Sequence, residues 1–393
     1  MLHAVILYSV GSPETLTVPS LRRYLNRFLS DKWVIQLPSF LWQPILHSFI
    51  LRTRPHRLIK RYEQIFVDGH NPYLIAMDKL CVKLEQYLNE RQELQNITTT
   101  AAQDALRLSQ ESLFSANTES AKAADATVTA ATGVTGDAAT AKSAEPDAEA
   151  KSWRFMVRPC YAYCGEGLEQ AIDHCLQCGA TQITVVQLFP QYSLSTSKAA
   201  ELTLLALQRQ GLKAQLNFVR SYATEPLYIE ALANNLRQCL DLTIETDLNA
   251  YLQQHHAHIV LTYHGLPQSY IKDGEPYVDE CKATTSALMA ALHLKAEHCS
   301  VAYQSKMGPM PWLQPYLEDT VEQLLKEHVQ HLIVLSPTFT LDCLETLYDI
   351  NIKLRELFLS KGGEKFTYVP ALNDNAGHVT LLSQLVATAP ALG

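Results

Sequence analysis

Short apolar runs alternate with amphipathic stretches along nearly the whole chain, and no Asn-Gly turn joins two of the apolar runs. That alternation is the tightest constraint on what the sequence can fold into. Antiparallel neighbours need only a tight hairpin, whereas parallel strands need a crossover of roughly a dozen residues, usually a helix. Strands are predicted at His3–Val10, 154–159, 182–193, 212–221, 257–265, 298–305, 331–339 and 366–370, with a further short one at Asp31–Leu37 before Pro38. Helices are predicted at 18–30, Leu74–Leu94, Leu168–Cys178, Leu202–Gln210, Pro226–Leu240, Asp279–Leu292, Trp312–Glu327, 342–360 and from about His378. The spacing of Leu21, Leu25, Phe28 and Leu29 gives the first of these one apolar face. The pattern reads as an α/β protein with two parallel sheets flanked by helices, joined near residues 190–205.

Composition narrows the function. The chain has 393 residues, 47% of them hydrophobic and 18% charged, with a formal charge of −8. That balance excludes the basic face a nucleic-acid binder needs. Residues 97–152 are dominated by Ala, Thr and Ser, and their eight acidic and four basic side chains supply −4 of the −8. Such a stretch buries too little apolar area to offset its ordering entropy, so it reads as a loose insertion rather than a domain. The nine cysteines do not form a disulfide framework, and MLHAVILYSVGSP lacks the basic start of an export signal. The expectation is a reducing cytosol, with no membrane-spanning run and peripheral membrane contact left open.

In open parallel sheets, ligands bind outside the carboxyl ends of the strands. At that edge one strand ends in FPQYS, one in His264-Gly265-Leu266-Pro267, one in QSKMGP and one in SPTF followed by DCLETLYD. His264 therefore reads as the floor of a cleft, with Asp342 and Glu345 brought in by a neighbouring strand–helix unit. A carboxylate beside an imidazole orients the ring and stabilises its protonated form, and the same pair can hold a divalent metal. Position alone also fits a turn histidine bonded to backbone. HHAH at 255–258 reads as a surface feature, because alternate side chains of a strand point apart.

Taken in order, VGSPETLTVPSLRRYLNRFLSD, VQLFPQYSLST, YHGLPQSYIKDGEPY, YQSKMGPMPWLQPY, SPTFTLDCLETLYDI and YVPALND resemble the motifs of the ferrochelatases. These enzymes, lyases forming nitrogen–metal bonds, insert ferrous iron into a porphyrin late in haem synthesis. The resemblance implies two Rossmann-like domains with a porphyrin cleft between them. We expect an N-terminal domain over 1–195 carrying the insertion, a C-terminal domain over 196–370, and a helix in 371–393 packing back on the first. It implies His264 as the catalytic histidine and Glu345 as its carboxylate partner, the two serving as metal ligands or proton carriers. It matches Tyr163 and Asp349 to family positions; with Tyr192, Gly265, Trp312 and Asp342 they are assigned to substrate binding, a core role being the alternative for each aromatic. An arginine of the family is replaced by Ala162, with Arg158 nearby, and a further acid of the family by Lys353.

Metallating a porphyrin means removing two pyrrole protons while iron sheds water. A base tuned near neutral pH, weak metal ligands and an aromatic slot that distorts the ring all serve that end. Fe2+ is then a substrate, and no resident cofactor is expected. Cys160, Cys164, Cys175 and Cys178 carry a C-x3-C-x10-C-x2-C spacing that raises a [2Fe-2S] cluster as an alternative to buried packing thiols. Residues 40–61 join an apolar run to Arg52, Arg54, Arg57, Lys60 and Arg61, which reads as a lip for anionic lipid or as a core helix with a basic turn. Three activities remain open: iron insertion into protoporphyrin IX, iron insertion into coproporphyrin III, and tetrapyrrole binding without turnover. A cobalt or nickel chelatase acting on sirohydrochlorin would need a more polar cleft. GPMPWL resembles the protoporphyrin-using branch. The sequence leaves the oligomeric state undetermined.

Overall fold

The computed structural model describes residues 1–93, 153–271, 275–306, 308 and 310–392. The expected loose insertion at 97–152 lies outside the described residues. Leu2–Tyr87 and Phe155–Gly393 form one compact unit, which holds both sheets, and Met1 with Leu88–Arg154 make up a second.

In the first lobe β1 (Leu2–Ser9) leads through α1 (Val18–Ser30), α2 (Ser39–Ile45), a π-helical stretch (Leu46–Ile50) and α3 (Leu51–Tyr62) to α4 (72–93). Then come β2 (Arg154–Tyr161), α5 (Leu168–Gln177), β3 (Ala180–Gln187), α6 (Ser197–Arg209) and β4 (Gln215–Val219). The strands lie in the order β2-β1-β3-β4, with Ile6 beside Val185 and Val185 beside Phe218 in parallel register. From His3 onward every residue of β1 is buried, because helices cover both faces of the sheet.

The second lobe comprises α7 (Pro226–Cys239), α8 (Leu248–Gln254), β5 (Ala257–His264), α9 (Tyr277–Ala291), β6 (Cys299–Gln304) and α10 (Leu317–Lys326). It continues through β7 (His331–Leu335), a π-helix (Glu345–Leu354) that runs into α11 (Arg355–Ser360), β8 (Lys365–Val369) and α12 (Ala376–Thr388). Its sheet has the order β6-β5-β7-β8 and all three pairings are parallel.

Three local expectations need correction. The run Asp31–Leu37 is a turn, not a strand: the Asp31 carboxylate accepts from Trp33 N at 2.8 Å, and its carbonyl from Ile35 N at 2.9 Å. This local bonding at the end of α1 outcompetes the strand preference of Trp33, Val34 and Ile35. Helix α10 begins at Leu317 rather than Trp312, since Pro311 and Pro315 lack N–H donors and Leu313 N instead donates to Leu266 O at 2.9 Å. The domain boundary at 195/196 falls inside the first lobe, because α6 and β4 follow it and β4 pairs with β3. Periodicity identifies a strand but not the sheet it joins. The C-terminal tail also reaches the first sheet, with Leu392 N donating to Leu216 O at 2.8 Å.

Each sheet is locked near the amino ends of its strands by a buried imidazole. His3 Nε2 bonds Thr184 Oγ1 at 2.8 Å, His258 Nε2 bonds Ser300 Oγ at 2.9 Å and His331 Nε2 bonds Thr367 Oγ1 at 2.8 Å, each to the neighbouring strand. His258 is therefore a buried strand residue, not a surface one. Burial pushes all three down to about 4, and His378 in α12 likewise. The unfolded chain binds these protons near 6.5 and the folded chain does not, so stability falls as pH drops from about 6.5 towards 4. Each histidine contributes a slope of about 1.4 kcal/mol per pH unit inside that window. Thermal unfolding across this range should show the decline, and His331→Gln should flatten it by about one proton's worth; an unchanged slope would contradict the assignment.

Candidate active site

The order β6-β5-β7-β8 places β5 where the sheet's connectivity reverses, and crevices form at the carboxyl end of such a strand. His264 is the last residue of β5 and pairs with Gln304 of β6. Its backbone is held firmly: its carbonyl accepts from the Tyr277 hydroxyl at 3.0 Å, and the next N–H, of Gly265, donates to Gln304 O at 2.9 Å. A Cβ on Gly265 would stand 2.6 Å from that same Gln304 oxygen and 3.5 Å from the Trp312 ring, so only glycine allows the strand to end this closely packed. The His264 ring meets Phe339 edge-on, with centroids 6.1 Å apart. Its Nδ1 is buried without a hydrogen-bond partner.

Glu345 opens the π-helix that follows β7, the strand beside β5. Asp349 and Lys353, spaced by four from it, follow along the same helix face. Burial holds His264 below the ordinary imidazole value, and the Glu345 carboxylate pulls it back up. Asp349 is pushed up to about 6 by burial and by Glu345, while Arg61 of α3 lies 3.6 Å from its carboxylate. The field of Glu345 also reaches first-lobe groups. Tyr24 of α1 and Tyr62 of α3 are raised by burial and then by nearby groups that include Glu345. Arg54 of α3 is lowered by burial and by Arg61, with Glu345 opposing. An apolar seam of Leu21, Tyr62, Ile65 and Leu344 closes the two lobes around this point. His264 thus lies within the electrostatic field of Glu345, and first-lobe groups on α1 and α3 lie within that same field.

The remaining expected site residues are distributed differently. Tyr163 is buried after β2, its hydroxyl donating to Asp31 Oδ2 at 2.9 Å and its ring edge-on to Phe28. Tyr192 is buried at the lobe junction, where its hydroxyl donates to Glu201 at 2.8 Å and Arg220 stacks on its ring at 4.2 Å. Trp312 backs Gly265. The Asp342 carboxylate is engaged by four hydrogen bonds, three from β8 and the residues just after it and one from Thr346 of the π-helix. Arg158 pairs with Glu166 at 2.9 Å. Lys353 pairs with Glu318 at 3.0 Å.

Among the described residues, no three His, Cys, Asp or Glu side chains are grouped as metal ligands. Cys160 and Cys175 belong to the apolar core of the first sheet, Cys164 packs under Gly11, and Cys178 is exposed. Burial pushes the first three thiols up, Cys160 to about 12 and Cys164 and Cys175 to about 11, whereas cluster ligation needs thiolates.

The sequence profile of the ferrochelatase family matches residues 2–130 and 134–389. The chain belongs to the ferrochelatase family. Curated ferrochelatases agree: that of Edwardsiella ictaluri is 34% identical over 99% of this chain and 98% of its own. That of Pectobacterium atrosepticum is 31% identical over 98% and 97%. Among solved structures, the sirohydrochlorin chelatase SirB of Bacillus subtilis with cobalt overlaps loosely, at a TM-score of 0.40 and 10% identity over 59% of this chain and 81% of that one. In this ferrochelatase-family enzyme an imidazole, a carboxylate and a second, weaker acid influence one another electrostatically. Sequence reasoning missed Tyr24, Arg54, Tyr62, Phe339 and Cys343 around that group. Arg54 was visible only as one member of a basic run, and Tyr24 only as a helical residue between Leu21 and Leu25.

Proposed function

We propose that this ferrochelatase inserts Fe2+ into protoporphyrin IX, with His264 as proton acceptor and metal ligand and Glu345 as its carboxylate partner. One observation supports this above others: a half-buried imidazole with a buried, unpartnered Nδ1, its charged form disfavoured by desolvation, stands within the field of a carboxylate. A neutral imidazole accepts a pyrrole proton, and the carboxylate then stabilises the imidazolium. Two side chains hold a cation less firmly than the three or four of a resident site, which suits an ion that must move on. Asp349, raised to about 6 and four residues beyond Glu345, stands behind the pair as an acid that can pass a proton onward. Tyr163 and Trp312 are the aromatic candidates for gripping the macrocycle. The motif GPMPWL favours protoporphyrin over coproporphyrin III. His264→Ala should lower zinc insertion into protoporphyrin at least a hundredfold, read by fluorescence, while changing porphyrin affinity little. Turnover within tenfold of the parent would contradict the role, and faster turnover of coproporphyrin by the parent would reverse the substrate choice.

A second reading concerns where the enzyme works. Phe40 and Phe49 expose 76% and 62% of their surface, and Leu41 and Ile45 more than half. The exposed Arg52, Arg57 and Lys60 of α3 follow directly. Among the described residues no helix is long and apolar enough to cross a membrane. An apolar patch bordered by basic groups fits the surface of an anionic bilayer, from which an apolar porphyrin enters, and supports a reading of a cytoplasmic enzyme working at the membrane's inner face. The parent should sediment with phosphatidylglycerol vesicles at low salt and less with phosphatidylcholine ones. Phe40→Ser combined with Phe49→Ser should abolish this, and equal sedimentation of parent and variant would contradict it.

A further inference from the structure

The π-helix that carries Glu345 starts without a side-chain cap from the residue before it. What fixes its first turn is a buried carboxylate three residues ahead of Glu345. Asp342 Oδ1 accepts from Thr346 Oγ1 at 3.0 Å, from Ala371 N at 3.2 Å and from the Tyr368 hydroxyl. Its Oδ2 accepts from Asn373 Nδ2 at 2.8 Å. Every partner is a donor, a set that fits a carboxylate and leaves it little capacity for a substrate. Thr346, the second residue of the π-helix and buried, also accepts from Cys343 N at 2.9 Å. Its hydroxyl therefore ties the chain on both sides of Glu345.

The anchor extends further back. Asn373 Oδ1 accepts from Asp342 N at 2.9 Å, so the Asn373 side chain holds both the backbone and the carboxylate of Asp342. Asn373 sits at φ +48°, a left-handed conformation that asparagine tolerates better than most residues. Its N–H donates to Thr340 O at 2.8 Å, and its carbonyl bonds His378 Nδ1, inside α12, at 2.6 Å. An unbroken chain of hydrogen bonds thus runs from α12 through Asn373 and Asp342 to Thr346.

We propose that Asp342, clamped by Asn373 and acting through Thr346, is a positioning residue that sets the reach of Glu345 towards His264. This rests on the reading of His264 and Glu345 as the reacting pair. Groups that orient a ligand from behind are worth about tenfold to a hundredfold in metal affinity or activity. A tie at the residue next to Glu345 should act on the metal and on turnover, and leave the porphyrin affinity alone.

The test uses Thr346→Val, which keeps the shape and removes the hydroxyl, and Thr346→Ser, which restores it. Zn2+ affinity of the porphyrin-free enzyme is measured by competition with a chromophoric chelator, together with kcat and KM for zinc insertion. The valine variant should bind Zn2+ about tenfold more weakly and lose kcat to a similar extent, with the porphyrin KM within twofold. The serine variant should stay within twofold of the parent on all three. Parent-like Zn2+ affinity in Thr346→Val, with only a lower melting temperature, would overturn the proposal. His264→Ala in the same assay separates the two levels: if it binds and inserts zinc normally, the reading of the pair fails, whatever Thr346 does.

Discussion

Two opposed forces on one imidazole organise this molecule. Burial removes water from His264 and disfavours its charge, while Glu345 favours that charge. Desolvation wins, so the ring rests neutral near pH 7, and the carboxylate keeps the cost of protonating it within reach. Either force alone would give a poorer base. An exposed imidazole would be partly charged and hydrated, and a buried one with no acid nearby would resist accepting a proton at all.

The fold produces this balance at one end of a sheet and avoids it at the other. His3, His258 and His331 occupy the amino ends of β1, β5 and β7, and each is matched to a Thr or Ser hydroxyl on the adjacent strand. Those rings are neutral and structurally occupied. His264 closes the carboxyl end of β5 with a buried nitrogen that no protein group engages. The same residue type on the same strand is a fastener at position 258 and, in the proposed mechanism, the reactive group at 264. The difference lies in the partner: at 264 it is the field of a carboxylate, that of Glu345 at the start of the π-helix beyond β7, rather than a hydroxyl on the next strand. The first lobe adds Tyr24, Tyr62 and Arg54 around that carboxylate, so neither lobe contains the site by itself.

Much of this was legible in the chain. The strand–helix alternation identified parallel sheets, and the break at Gly265-Leu266-Pro267 placed His264 at a strand's end. The Glu345 side of the pair depended on its strand–helix unit lying beside β5, which the sheet-edge pattern suggested and the register of Leu261 with Leu335 bears out. What the sequence concealed has physical reasons. The lobe boundary was set too early because β4 looks like any buried strand, and only hydrogen bonding shows that it joins β3. Asp31–Leu37 looked extended because propensity ignores a carboxylate that folds the chain back on itself just past the helix end. Tyr24 and Arg54 lie far from Glu345 along the chain, and no local pattern announces a meeting across that distance.

The central claim is that His264 and Glu345 act as one unit, and a double-mutant cycle on zinc insertion tests it most directly. His264→Asn, Glu345→Gln and the double variant are compared with the parent by kcat/KM. A single working unit predicts that the double variant is about as slow as the slower single one, within roughly threefold. Losses that multiply, so that the double variant shows the full product of the two single effects, would mean that the imidazole and the carboxylate act independently, and would contradict the claim.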